Sequence, residues 1–79
     1  MPMLRGYILI KLVPGFESDA LSKIRATPGV VEINPVFGRW DAITIGEAES
    51  LHALCMLIII QIRGIQGVEQ TETLLHGEF

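Results

Sequence analysis

Ile24-Arg25-Ala26-Thr27-Pro28-Gly29-Val30 and Ile62-Arg63-Gly64-Ile65-Gln66-Gly67-Val68 carry one signal twice in a short chain. In each, an isoleucine and an arginine end a helical pattern, a glycine permits the reversal and a valine opens a strand. The chain therefore reads as a doubled strand-helix-strand unit. Before the first copy, Tyr7-Ile8-Leu9-Ile10-Lys11-Leu12-Val13 is rich in β-branched and aromatic residues and closes at Pro14-Gly15, which marks a strand and its turn. Phe16, Ala20, Leu21 and Ile24 then recur at helical spacing, with Glu17 and Asp19 at the positive end of the helix dipole and Lys23 and Arg25 at the negative end. Thr27-Pro28-Gly29 stops that helix. Val30 to Asn34 forms a second strand, and Pro35, lacking an amide hydrogen, places it at a sheet edge or a bulge.

Gly38 turns the chain, and Trp40 to Ile45 gives the third strand. Gly46-Glu47-Ala48-Glu49-Ser50 leads into a second helix, with acidic and capping residues at its start. Leu51, Leu54, Cys55, Ile58 and Ile62 form the stripe expected to lie on a sheet, while Met56, Leu57 and Ile60 fall outside it. The helix runs to about Arg63, and Val68 to Leu75 is the last strand, followed by the polar tail His76-Gly77-Glu78-Phe79. Right-handed crossovers turn this order into a ferredoxin-like α+β fold, βαββαβ. Its four antiparallel strands lie in the order 4-1-3-2, with both helices on one face. In the first strand Ile8, Ile10 and Leu12 point one way and Tyr7, Leu9 and Val13 the other, so both faces are apolar. The face without helices is expected to pack on a second copy, sheet to sheet, as a dimeric α+β barrel.

Seventy-nine residues make one domain, residues 1–79, and 49% hydrophobic against 19% charged residues is apolar for so small an interior. Cys55 stands alone, so no disulfide forms within the chain, and His52, Cys55 and His76 do not make the close ligand pairs of a metal site. His52 and Cys55 are three apart on one helix, but a thiol in the apolar stripe reads as inert filler rather than a nucleophile. Glu69 and Glu72 sit on opposite faces of one strand and cannot converge as an acid-base pair. No nucleotide, phosphate or flavin motif is present, so no cofactor is expected. A net charge of −3 with six scattered basic residues is the wrong balance for gripping phosphates, which argues against direct nucleic-acid binding. The most apolar run, Ala53 to Ile60, falls far short of the roughly 20 residues of a membrane span, and the start lacks the features of a secretory signal. A cytoplasmic location away from the membrane is the expectation.

Ile24-Arg25-Ala26-Thr27-Pro28-Gly29-Val30-Val31-Glu32, Gly38-Arg39-Trp40-Asp41 and Ile65-Gln66-Gly67-Val68-Glu69-Gln70-Thr71-Glu72-Thr73 occur in this order and spacing. Together they resemble the effector-binding domain of the Lrp/AsnC transcription factors, the RAM domain, over the stretch from Gly6 to Leu75. The resemblance implies a homodimer with its sheets face to face, assembling into rings of eight or ten. It implies a small effector, commonly an amino acid, bound between subunits by Gly38, Arg39, Trp40 and Asp41 with Thr71 and Thr73. Full members place a DNA-binding helix-turn-helix before this domain. The chain is thus expected to be a stand-alone version, able to co-assemble with a DNA-binding relative.

The chemistry suits a zwitterion. Asp41 can accept from an ammonium, while Arg39, the Thr71 and Thr73 hydroxyls and backbone amides near Gly38 can serve a carboxylate. Trp40 offers a flat apolar wall. Each residue also has a purely structural reading: Gly38 as a hairpin glycine, Asp41 as an acceptor for turn amides, Trp40 as an interface anchor, and Thr71 and Thr73 as ordinary strand residues. The leading expectation is a non-enzymatic sensor in transcriptional or metabolic regulation. The same doubled fold also hosts small cofactor-free monooxygenases and isomerases, and ACT-like regulatory modules share its element order.

Overall fold

The computed structural model describes residues 3–75, and His76 with the rest of the expected tail lies outside them. β1 (Leu4–Leu12), α1 (Glu17–Arg25), β2 (Val30–Pro35), β3 (Ala42–Ala48), a second helix and β4 (Val68–Leu75) follow in order. The second helix is α2 (Leu51–Leu54), a π-helical stretch (Cys55–Ile59) and α3 (Ile60–Arg63), joined without a break in helical dihedrals. Every strand pairing is antiparallel, and the sheet order β2-β3-β1-β4 is the expected 4-1-3-2 read from the other edge. β2 lies at an edge, where its terminal Pro35 costs no ladder hydrogen bond.

The repeat seen in the sequence is a repeat in hydrogen bonds. After α1, Thr27 N–H donates to Ile24 O at 3.0 Å and Val30 N–H to Thr27 O at 3.1 Å; after the second helix, Ile65 N–H donates to Ile62 O at 3.1 Å and Val68 N–H to Ile65 O at 3.2 Å. Gly29 O then accepts from Glu47 N–H at 2.9 Å, and Gly67 O from Val13 N–H at 2.8 Å. One residue later each strand bulges, leaving Val31 extra in β2 and Glu69 extra in β4. Gly29 and Gly67 have φ of +95° and +101°. Each also lies against the other half's helix: a Cβ on Gly29 would stand 2.7 Å from Ile58 Cδ1, and one on Gly67 2.8 Å from Phe16 Cβ. Glycine is required twice over at both positions.

The helices seal one face of the sheet. Ile8 and Ile10 of β1, Ala20 and Ile24 of α1, and Leu54, Ile58 and Ile62 of the second helix are wholly buried there. Each large side chain among them contributes about 1.5–3 kcal/mol. Gly6 and Gly46 face each other across β1 and β3 and leave room for Leu54 and Ile58, whose methyls come within 2.8 and 3.0 Å of where their Cβ atoms would be. Thr44 is the polar residue of this layer, and its Oγ1 finds no hydrogen-bond partner among the described residues.

Two expectations need correction. The third strand begins at Ala42, not Trp40, and runs on through Gly46 to Ala48, because Ala42, Thr44, Gly46 and Ala48 continue the inward alternation opposite β1. Of the residues from Gly46 to Ser50, Ser50 alone caps the helix, its Oγ accepting from Ala53 N–H at 3.0 Å. Cys55 is exposed rather than part of the buried stripe, as is Leu51. The inward line runs 54, 58, 62 in steps of four, and Cys55 lies one residue outside it.

Gly67→Ala is expected to destabilise the fold by about 2–4 kcal/mol, combining left-handed strain with overpacking against Phe16. Thr44→Val, which removes the unpartnered hydroxyl, should stabilise it by about 1 kcal/mol. Urea unfolding midpoints measure both, and a Gly67→Ala loss below about 0.5 kcal/mol would show that the turn is not constrained as described.

Candidate ligand-binding site

The loop from Val36 to Asp41 joins β2 to β3 and is tied at its base. Val36 N–H donates to Asp41 O at 3.0 Å, and Asp41 N–H donates to Ile10 O at 2.8 Å. Asp41 Oδ2 accepts from Leu12 N–H at 2.8 Å, so the carboxylate continues the ladder that β3 would otherwise supply to β1. Gly38 has φ of +132° with open space where a Cβ would be, as a turn glycine does. Arg39 is exposed and Trp40 half-buried. Gly38 thus has the geometry of a turn glycine, whereas the Asp41 carboxylate holds a β1 amide rather than a turn amide, and the loop presents Arg39 and Trp40 from this tied base.

Thr71 and Thr73 lie elsewhere on the chain. They pair with Ile10 and Ile8 on the helix-facing side of the sheet, at the β4 edge. β1 stands between β4 and the loop, two strand spacings or about 9.5 Å across. The six residues named from the sequence thus form two groups that one chain does not bring together.

Thr71 and Thr73 border a groove of about 520 Å³ between β4 and the second helix, with Ile59, Arg63, Val68, Glu69 and Gln70. Arg63 and Glu69 went unrecognised as site residues in the sequence. Glu69 reaches the groove as the extra residue of the β4 bulge, which no local pattern announces. Arg63 reaches it from the last turn of the helix. The groove holds a guanidinium, a carboxylate, an amide and two hydroxyls, a set able to meet both charges of a zwitterion.

The internal repeat supplies a control for this groove. The corresponding place in the first half is bordered by Arg25, Val30, Val31, Glu32 and Ile33 and measures only about 170 Å³. Val31, Ile33 and Pro35 stand where the second half has Glu69, Thr71 and Thr73. One backbone arrangement is built twice: Arg25 and Glu32 in the first copy match Arg63 and Gln70 in the second, while Val31, Ile33 and Pro35 give way to Glu69, Thr71 and Thr73. The fold itself does not require Glu69, Thr71 and Thr73. A further groove of about 560 Å³, mostly apolar, lies between α1 and the second helix, lined in part by Lys23, Pro28, Leu57 and Gln61, and contains none of the expected residues.

The open face of the sheet carries Tyr7, Leu9, Ile43 and Ile45, half-buried in a single chain, with exposed Leu74 beside Tyr7. Arg5 and Glu47 pair at its rim, Arg5 Nε to Glu47 Oε2 at 3.0 Å. That contact, with a further hydrogen bond to Tyr7, holds the Arg5 guanidinium above its ordinary pKa. An apolar centre with a charged rim is the anatomy of a protein interface. Among the described residues no three His, Cys, Asp or Glu side chains come together as a metal site, and no helix is long and apolar enough to cross a membrane.

A family model described as the Lrp/AsnC ligand binding domain matches residues 6–76. An uncharacterized HTH-type transcriptional regulator of Pyrococcus horikoshii is 31% identical over 73 residues, covering 89% of this chain and 49% of the regulator. The chain spans about half the length of the curated relatives it matches. Among solved structures, a Thermus thermophilus protein, TTHA0845, is 25% identical with a TM-score of 0.88, covering 96% of this chain and 95% of that one. A transcriptional regulator of Neisseria meningitidis, solved as a complex with L-methionine, shares the fold at 14% identity, with a TM-score of 0.85 over 95% of this chain and 50% of its own.

Asp41→Ala is expected to cost about 1–3 kcal/mol, because it leaves Leu12 N–H without its acceptor, and Asp41→Asn, which keeps a carbonyl oxygen, distinctly less. Denaturation midpoints and amide exchange at Leu12 read this directly; equal losses in the two variants would contradict the structural role given to the carboxylate.

Proposed function

This chain belongs to the Lrp/AsnC ligand-binding domain family, and we propose that it binds a small effector of the amino-acid class between copies of itself, as a non-enzymatic module of transcriptional or metabolic regulation. The observation that carries the reading is the polar groove of Arg63, Glu69, Gln70, Thr71 and Thr73, set against a smaller counterpart in the first half where Val31, Ile33 and Pro35 replace the glutamate and both threonines. Arg63 and the two threonine hydroxyls are the donors for an α-carboxylate, and Glu69 an acceptor for the ammonium. The loop Gly38-Arg39-Trp40-Asp41 of a second copy closes the groove. Asp41 Oδ1 is then the additional ammonium acceptor, since Oδ2 is engaged with Leu12. Trp40 gives the wall for the ligand's side chain, and Arg39 a second cation for its carboxylate. The L-methionine complex of the Neisseria meningitidis regulator supports an amino acid as the class of ligand.

Assembly follows from the other half of the fold. Copies pair through Tyr7, Leu9, Ile43 and Ile45, sheet to sheet, and the pairs join into rings of eight or ten. Co-assembly with a DNA-binding relative through the same contacts would carry the signal to DNA, since a net charge of −3 does not favour direct contact. Regulation by binding, rather than catalysis, fits a groove whose polar groups include no nucleophile paired with a base.

Thermal unfolding in the presence of each of the twenty amino acids tests the proposal. A ligand at about one hundred times its Kd adds about 2.7 kcal/mol, or about 10 °C and more in Tm for a domain of this size. Thr73→Val and Arg63→Gln should each abolish the shift while leaving the unliganded Tm nearly unchanged. No shift with any amino acid, in protein that remains oligomeric, would overturn the reading.

A further inference from the structure

We infer that Phe37 is the anchor by which one copy docks on another, seated on the outer stripe Met56-Ile59-Ile60 of the neighbour's second helix. The inference takes from the proposed function only that copies meet at the β4 groove. Phe37 is fully exposed in the tied loop, one residue beyond the Val36–Asp41 hydrogen bond, so it packs against nothing in its own chain. A large aromatic side chain held out on a rigid base loses little freedom on docking and brings 150–250 Å² of burial, the profile of an interface anchor.

The socket is visible by the same internal comparison. Residues 56, 59, 60 and 63 share one face of the second helix, and Ile59 and Arg63 already border the polar groove. Met56 and Ile60 are about half exposed. The corresponding positions on α1 are Ser18, Leu21, Ser22 and Arg25. The first half thus shows that this face of the helix folds well with serines in place of Met56 and Ile60. The inward line 54, 58, 62 fastens the helix to its own sheet and Ile59 packs in part against that core, so Met56 and Ile60 are the members of the stripe left over within one chain.

Charge selects the occupant. The loop carries Arg39 and Asp41 beside Phe37, and the groove carries Glu69 and Arg63 beside the stripe. When no ligand occupies the groove, Arg39 can pair with Glu69 and Asp41 Oδ1 with Arg63, so a second molecule of the same chain offers charges that complement the stripe and groove. Knob and socket are different patches of one molecule, so the contact is heterologous and propagates, closing into a ring when combined with the two-fold sheet contact.

Mixed cross-linking tests the contact without ligand. In a Cys55→Ser background, a chain with Phe37→Cys mixed with one bearing Ile60→Cys should form disulfide-linked pairs on mild oxidation, and the Ile60→Cys chain alone should form none. Met56→Ser with Ile60→Ser, which copies the surface of α1, should fold normally and weaken assembly beyond the sheet-paired dimer at least tenfold in sedimentation. Absence of mixed cross-links, or an assembly mass unchanged in the double serine variant, would overturn the inference. Cross-links with no amino-acid response would refute the ligand while leaving the contact intact; an amino-acid response without cross-links would do the reverse.

Discussion

A four-stranded sheet has two faces, and in this fold the two helices can cover only one of them. That constraint organises everything else. The covered side is closed tightly because Gly6 and Gly46 let Leu54 and Ile58 approach the backbone, and because Ala20, Ile24 and Ile62 fill the space between helices and strands. The uncovered side is no more polar at its centre: Tyr7 faces Ile45, and Leu9 faces Ile43, across neighbouring strands. Water against such a layer is unfavourable by about 25 cal/mol for each Å² left exposed, and that is the driving force available to the proposed pairing with another copy.

The duplication gives the molecule its own reference state. Where both halves agree, as in the turns at Gly29 and Gly67, the residues serve the architecture. Where they differ, the second half has departed from what the architecture asks. Ile33 becomes Thr71, Val31 becomes Glu69, and Ser18 and Ser22 become Met56 and Ile60. These departures adjoin one another on the β4 edge and the helix beside it, the one region where ligand chemistry and partner contact are both proposed.

Much of the fold was legible because its signals are local. β4 has the bounds its alternation indicates, β2 lies at the edge that Pro35 demands, and the sheet order follows from two crossovers of one hand. Signals that depend on distant partners were not. The inward face of β3 continues through Gly46 only because Gly6 and Leu54 are there to receive it, so Gly46 and Glu47 look like a helix approach in the sequence. Asp41 reads in the sequence as an acceptor with both oxygens free, and only the fold shows Oδ2 already engaged by Leu12 N–H at 2.8 Å. Thr71 and Thr73 read as part of a site shared between subunits, and the register of β4 on β1 sets them beyond Ile8 and Ile10, next to Arg63, which the sequence does not single out. Cys55 fits a helical wheel drawn by steps of three and four, whereas the buried line keeps to steps of four.

Sedimentation equilibrium of the unmodified chain, compared with a variant in which Leu9 and Ile43 are both replaced by glutamate, tests the central claim most directly. The account predicts a mass of at least two chains for the unmodified protein at micromolar concentration and a folded single chain for the variant. An unmodified protein that sediments as a single folded chain would contradict it, because the apolar sheet face would then be at rest in water.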